Sequence, residues 1–303
     1  MNQRITPILQ QLQQVLLDKP QQLKLALACL LAGGHLLLED LPGMGKTTLS
    51  AALAKTLGLS HQRLQFTADM LPADLIGVNI FNPAQQKFEF HQGPVFNQLL
   101  LADEINRASP KTQSALLEAM AEGQVSIDGT TYPLPSPFFV IATQNPQEQS
   151  GTFPLPESQL DRFMMCLSLG FPGVDAERQL LKGEHLADQL TSLSALLTVT
   201  ELGQIQQQCQ QINASDAVLN YLLALVNYSR QPDQQGAPLS PRASRALLAA
   251  AKAWALLHER RFVVPDDIQA VFPAVAEHRL QAGQRRRHAE LAPQILAAVN
   301  PIQ

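Results

Sequence analysis

The chain has 303 residues, of which 46% are apolar and 16% charged, and a formal charge of −4; this describes a globular protein with a sizeable core, long enough for two domains, and excludes a disordered chain. The acidic balance gives no general attraction to nucleic acid or anionic membrane, no run of about eighteen residues is uniformly apolar, and Met1 to Pro7 do not lead into an apolar stretch with a cleavage site. The expectation is a cytoplasmic protein without a membrane span, in which the widely spaced Cys29, Cys166 and Cys209 are packing residues rather than a disulfide framework or zinc site.

In chain order, leucines at helical spacing from Gln10 to Gly33, broken at Pro20, predict two helices that approach a first strand, His35 to Glu39. A glycine loop, Leu41-Pro-Gly-Met-Gly-Lys-Thr47, joins that strand to a helix over Thr48 to Leu57, ended by Gly58. Arg63 to Phe66 read as a second strand. Residues 67–98 are longer than the ~4–6 residues of most connections, and Asn82-Pro83 with Phe88 and Phe90 predicts a hairpin over residues 81–94. This segment is expected to be an inserted functional element.

Leu99 to Leu101 run on without alternation, as a strand buried on both faces does, and Asp103-Glu104 emerge at its carboxyl end. An amphipathic helix follows over Lys111 to Met120, ended near Gly123. Residues 124–134 alternate around Asp128-Gly129, a strong hairpin signal. Phe138 to Thr143 form another buried strand, ending in Gln144-Asn145-Pro146, and Met164 to Leu167 a fifth. The turn Phe171-Pro172-Gly173 marks a domain boundary. Beyond it the pattern is helical, with glutamines 206–208, 210 and 211 on the wet face of a helix carrying Leu202, Ile205 and Ile212.

Strand, glycine loop and helix stand in the order of a phosphate-binding P-loop. Pro42, Gly43, Met44, Gly45, Lys46, Thr47 and Thr48 are the nucleotide-binding stretch. The glycines turn backbone N–H groups toward the β- and γ-phosphates, Lys46 adds positive charge, and Thr47 offers a hydroxyl to Mg²⁺ at the positive end of the helix. Asp103 would hold the same Mg²⁺ through its waters, and Glu104 would orient or deprotonate the attacking water of ATP. Asp40 stands where the usual pattern begins with Gly. It tolerates the left-handed backbone region better than most residues but brings a carboxylate toward a triphosphate, which sets nucleotide affinity in question.

With Asp103-Glu-Ile-Asn-Arg107, Ala142-Thr-Gln-Asn-Pro146, Leu155-Pro-Glu-Ser-Gln-Leu-Asp-Arg-Phe163 and Leu239-Ser-Pro-Arg-Ala243, the chain resembles the AAA+ ATPases, and within them the MoxR branch, related to the magnesium chelatase ATPase subunit. The resemblance extends from about residue 20 to about residue 280. It implies that Asn145 is the amide that holds the attacking water in line. It implies that Arg162 is an arginine supplied to the neighbouring subunit's site, with Arg107 an alternative for that role. It implies that Arg242, in the first turn of a helix capped by Ser240 and Pro241 and running through Trp254, reaches the nucleotide of its own chain.

Together these readings give an α/β core with a five-stranded parallel sheet over residues 1–170 and an all-helical lid over residues 171–303. ATP and Mg²⁺ are the expected cofactors. The implied assembly is a homo-oligomeric ring, a hexamer, acting as a chaperone-like remodeller of a client protein, commonly one with a von Willebrand factor A domain. The two inserted hairpins would touch that partner. Alternatives are a nucleotide-dependent scaffold with slow hydrolysis and a nucleic-acid motor. Against the second stand the acidic balance and the small size of the late basic cluster: Arg260, Arg261, His278, Arg279, residues 285–287 and His288. That cluster reads as a solvated helix face or a contact for an acidic partner.

Overall fold

A computed structural model describes residues 4–145, 151–182, 186–282 and 290–301. The chain begins with α1 (Ile5–Val15) and α2 (Pro20–Leu31), the latter with Pro20 in its first turn, where a missing N–H is harmless. Then come β1 (Leu36–Glu39), α3 (Lys46–Thr56), β2 (His61–Gln65), the short α4 (Pro72–Ile76) and the hairpin β3 (Gly77–Asn82) and β4 (Lys87–Gln92). Next are β5 (Leu99–Asp103), α5 (Pro110–Glu122), the hairpin β6 (Gln124–Ile127) and β7 (Thr130–Pro133), β8 (Phe139–Gln144), α6 (Glu157–Leu160) and β9 (Met165–Leu167). The remainder is helical: α7 (Val174–Leu181), α8 (Leu186–Ser192), α9 (Val199–Gln210), α10 (Asp216–Tyr228), α11 (Pro241–Leu257), α12 (Pro265–Leu280) and α13 (Leu291–Ala298).

Five strands form one parallel sheet in the order β2-β5-β8-β1-β9. The continuous apolar runs are explained by burial on both faces. Leu36 and Leu38 enter the core shared with α2 and α3, whereas Leu37 enters the one shared with α5. The first of these cores continues through α2 into α9, α10, α11 and α12. The apolar interior therefore does not divide at the Phe171-Pro172-Gly173 turn. That turn is strapped to the break between α1 and α2, where Lys19 Nζ donates to Phe171 O at 2.6 Å and Gly173 N to Asp18 Oδ2 at 3.1 Å.

The expected hairpin at residues 81–94 begins earlier, at Gly77. Both of its faces are largely exposed, so its sequence lacks clean alternation. Gly77 is required at the base: its φ is 103°, and a Cβ there would lie 2.2 Å from His91 O. The two hairpins meet through Phe90 stacked on Tyr132 at 4.2 Å and Asn79 Nδ2 donating to Asp128 Oδ2 at 2.6 Å.

Among the described members of the late basic cluster, Arg261 is exposed but the others are not on one solvated face. His278 and Arg279 are buried, and Arg260 Nη1 donates to Asp267 Oδ2 at 2.6 Å. Residues 285–288 lie outside the described residues. Cys29 and Cys209 are buried and Cys166 half-buried; burial pushes the Cys166 and Cys209 thiols up to about 12, as befits packing residues. Among the described residues no helix is long and apolar enough to cross a membrane.

Candidate active site

The P-loop leaves β1 at Asp40 and enters α3 at Gly45, with Gly43 at φ 84° and Gly45 at φ 89°, both in the region only glycine adopts freely. A Cβ on either would meet no atom within 4 Å. The space over the loop is thus open, and the conformation, not crowding, demands glycine. Pro42, Gly43 and Thr47 are exposed, Thr48 is half-buried, and Met44 packs against the core. Lys46 Nζ donates to Asp40 O at 2.7 Å. Burial lowers the Lys46 ammonium from its usual value, while Asp40, Asp103 and Glu104 oppose that shift. The P-loop lysine therefore stands in the field of Asp40 and of the two acidic residues at the end of β5.

Asp40 corrects the expectation drawn from sequence. It is not in the left-handed region, and its buried carboxylate is held by the segment that follows β9. Oδ1 accepts from Ser168 Oγ at 2.7 Å and Gly170 N at 3.1 Å, and Oδ2 accepts from Leu169 N at 2.6 Å. The carboxylate anchors the start of the loop while still acting on Lys46.

Parallel register brings the acidic end of β5 beside residues that sequence reasoning missed. Ala102 pairs with Ala142, so Thr143 follows next to Asp103; Gln65 pairs with Asp103 directly from β2. Thr143 Oγ1 donates to Asp103 Oδ1 at 2.6 Å and accepts from Glu104 N at 2.9 Å. Arg63 Nη2 donates to Asp103 Oδ2 at 2.7 Å. Glu104 has φ 57°, a conformation that costs a non-glycine residue about 1–2 kcal/mol, and the bond from its N–H to Thr143 helps to hold it there. Its Oε2 accepts from Gln65 Nε2 at 2.7 Å and lies 2.8 Å from Arg107 Nε. Asn145, buried, follows β8 at the same end of the sheet.

Arg162 lies at the opposite end. β9 runs parallel to β1 with Met165 beside Leu36, and Met164 N donates to His35 O at 2.8 Å, so residues 161–164 precede the amino end of the sheet. The four residues of β1 separate them from the P-loop by roughly 13 Å along the strand. Arg162 donates not to Asp161 or Glu157 but to Leu117 O of α5. Arg242 was expected at its own nucleotide. Instead its Nη1 lies 3.9 Å from Asp161 Oδ2, with its side chain 57% exposed, so it belongs to the Arg162 end. Ser240 does cap α11, accepting from Ala243 N at 3.1 Å, and donates to Asp161 Oδ2 at 3.0 Å. Arg107 and Arg162, equivalent in sequence, are thus separated: one contacts its own chain's Glu104, the other faces away from it.

A P-loop after β1, an acidic pair at the end of β5 on the far side of β8, and a helical cap give the arrangement of an α/β P-loop ATPase core. Residues 35–165 match the family model "ATPase family associated with various cellular activities (AAA)", and residues 229–299 match that of the AAA lid domain. The chain is 37% identical to Chaperone MoxR1 of Mycobacterium tuberculosis over 94% of this chain and 78% of that one. It is 48% identical to the uncharacterised YeaC of Bacillus subtilis over 84% of this chain and 80% of that one. The crystal structure of a candidate ATPase from Cytophaga hutchinsonii superposes with a TM-score of 0.88 at 36% identity, covering 98% of this chain and 94% of that one. The chain belongs to the MoxR family of AAA+ ATPases.

Proposed function

We propose that the chain hydrolyses Mg-ATP in sites shared between neighbouring subunits of a ring, a hexamer, and uses the cycle to remodel or activate a client protein. One observation carries this reading: Lys46, Asp103 and Glu104 gather at the carboxyl end of the sheet, while Arg162 lies at its amino end, separated from the P-loop by the roughly 13 Å length of β1. An arginine so placed serves a site other than its own.

The residues present fit Mg-ATP. The open P-loop offers N–H groups at the positive end of α3, with Lys46 beside them. Thr47 and Asp103 would hold the metal, which supplies charge neutralisation at the phosphates. Asn145 and Glu104 would fix the attacking water, and Glu104 would take up its proton. Gln65, Arg107 and Thr143 orient Glu104. Arg162 of the next subunit would offset charge on the transferring phosphoryl group, an effect worth ~10³–10⁵ in rate in other P-loop enzymes. Arg242 sits with Arg162 and would act from the same side.

The β3–β4 hairpin supports a protein client. Val78, Ile80, Phe81 and Phe88 are exposed on it, with Phe81 packed edge-on to Phe88 at 5.4 Å. A partner with a von Willebrand factor A domain is the client class this reading takes. The burial of His278 and Arg279 weighs against a nucleic-acid motor, and the hydrogen bonds that hold the Asp40 carboxylate against the segment after β9 weigh against a slow scaffold. The test is turnover with and without Mg²⁺ in the parent and Glu104→Gln. Mg-dependent turnover lost in the variant, with nucleotide binding intact, is expected; turnover that survives Glu104→Gln contradicts the reading.

A further inference from the structure

Arg279, near the carboxyl end of lid helix α12, is an unusual side chain to bury: it is 6% exposed and has no apolar substitute for its charge. A guanidinium carries five N–H donors, and here each has an acceptor. Nε donates to Asp161 Oδ1 at 2.7 Å, Nη2 to Asp161 O at 3.2 Å and Phe163 O at 2.7 Å, and Nη1 to Met164 O at 3.1 Å and to Val275 O within its own helix. Apart from Val275, every acceptor belongs to residues 161–164. They bracket Arg162, whose own guanidinium points the other way, to Leu117 O.

A second lid helix converges on the same point. Ser240, the cap of α11, donates to Asp161 Oδ2, and Arg242 approaches that oxygen. His278 Nε2 lies 3.3 Å from Phe163 O. Residues 161–164 are thus a short segment between α6 and β9 whose backbone carbonyls are held by the lid rather than by the sheet alone. A shift of α12 must carry the backbone on both sides of Arg162 with it, because the hydrogen bonds are to main-chain atoms.

We propose that Arg279 is a positioning residue for Arg162: through Asp161 and the carbonyls of Asp161, Phe163 and Met164, the lid sets where the arginine offered to the neighbouring subunit stands. This rests on the reading of Arg162 as an arginine acting on that neighbour's site. A defect at Arg279 then appears in the next subunit's turnover, leaving the variant's own P-loop competent. A purely structural role would impair both.

The test is subunit mixing. Arg279→Lys keeps the charge without the planar fork, and Asp161→Asn keeps the shape with a weaker acceptor, so the proposal does not depend on one variant folding. Each is compared with Arg162→Ala for Mg-ATP turnover and for binding of N-methylanthraniloyl-ADP, alone and mixed one to one with Glu104→Gln subunits, which retain Arg162 but not the base. The expected result is parent-like analogue binding and turnover lowered at least about tenfold, with the ~10³–10⁵ loss of such an arginine as the upper limit. Mixing then restores turnover to roughly one quarter of the parent rate, since half the sites keep Glu104 and half of those face a Glu104→Gln neighbour. Parent-like turnover in a folded Asp161→Asn and Arg279→Lys overturns the proposal. So does a loss that mixing fails to restore while Arg162→Ala is restored, because the fault then lies in the variant's own site. If Arg162→Ala is itself not restored, the shared-site reading fails first and the proposal falls with it.

Discussion

Replacing Asp40 by glycine gives the loop its commoner first residue and removes a negative charge from the approach to the phosphates. Sequence reasoning alone predicts tighter nucleotide binding. Were the carboxylate about 9 Å from a phosphate charge, the relief would be roughly 2 kcal/mol at an effective dielectric of 20. The hydrogen bonds of the folded protein set a separate cost, on stability and on the position of the loop. The carboxylate accepts three of them, from Ser168 Oγ, Leu169 N and Gly170 N, and bonds to a charged group contribute about 1.5–3 kcal/mol each. Allowing for non-additivity, losing them costs about 3–5 kcal/mol, and glycine adds about 0.5–1 kcal/mol in backbone entropy. The main-chain oxygen that Lys46 Nζ contacts at 2.7 Å belongs to the same residue, so a freed Asp40 position also loosens the lysine. The expected outcome is a less stable protein that binds nucleotide at least about tenfold more weakly. Urea unfolding and titration with a fluorescent ADP analogue measure the two quantities. An Asp40→Gly variant of parent stability that binds nucleotide more tightly would refute the reasoning.

Thr143→Val keeps the shape of a fully buried side chain while deleting the hydroxyl shared by Asp103 Oδ1 and Glu104 N. The variant should fold, with a loss of about 2–4 kcal/mol from the two orphaned groups. Its kcat should fall by about 10²-fold through misplacement of Glu104, and Thr143→Ser should recover most of it; equal kcat in the valine variant and parent would count against the geometry. His35 is buried, with Nδ1 accepting from Val140 N at 3.1 Å and Nε2 donating to Met120 O at 3.2 Å, and burial pulls its pKa from 6.5 to about 4. Because the unfolded chain binds this proton more readily than the folded one, stability is intact above pH 6.5, falls as pH drops and levels near pH 4. The loss is about 3 kcal/mol, and burial drives His278 in the same direction. Unfolding free energies across pH 7 to 4 should therefore slope more steeply in the parent than in His35→Gln, and identical slopes would contradict the assignment.

Most of the core was legible because burial on both faces writes itself as unbroken apolar runs. Leu36 to Leu38 and Leu99 to Leu101 had no other plausible use. The Asp128-Gly129 hairpin was equally plain, since both residues take positive φ. The P-loop and the acidic pair were readable because their chemistry lies in contiguous residues. What stayed hidden depends on register and on contacts distant in sequence. Thr143 reads as the end of a strand until Ala142 is known to pair with Ala102. Arg279 reads as part of a basic helix face until Asp161, 118 residues away, is seen to accept from it. Arg242 reads by motif as a residue of its own nucleotide site, and its approach to Asp161 shows only once α11 is placed against the segment before β9. Asp40 misled for a related reason: proximity in sequence to the P-loop says nothing about where the carboxylate points.

The central claim is that each catalytic site draws residues from two subunits. Mg-ATP turnover per subunit, followed across a wide range of protein concentration in the parent and in Arg162→Ala, tests it most directly. The account predicts a specific rate that climbs as subunits assemble and reaches a plateau, and a variant that assembles and binds nucleotide but stays near the dilute rate at every concentration. A specific rate independent of concentration, in a protein shown to dissociate over that range, would contradict it.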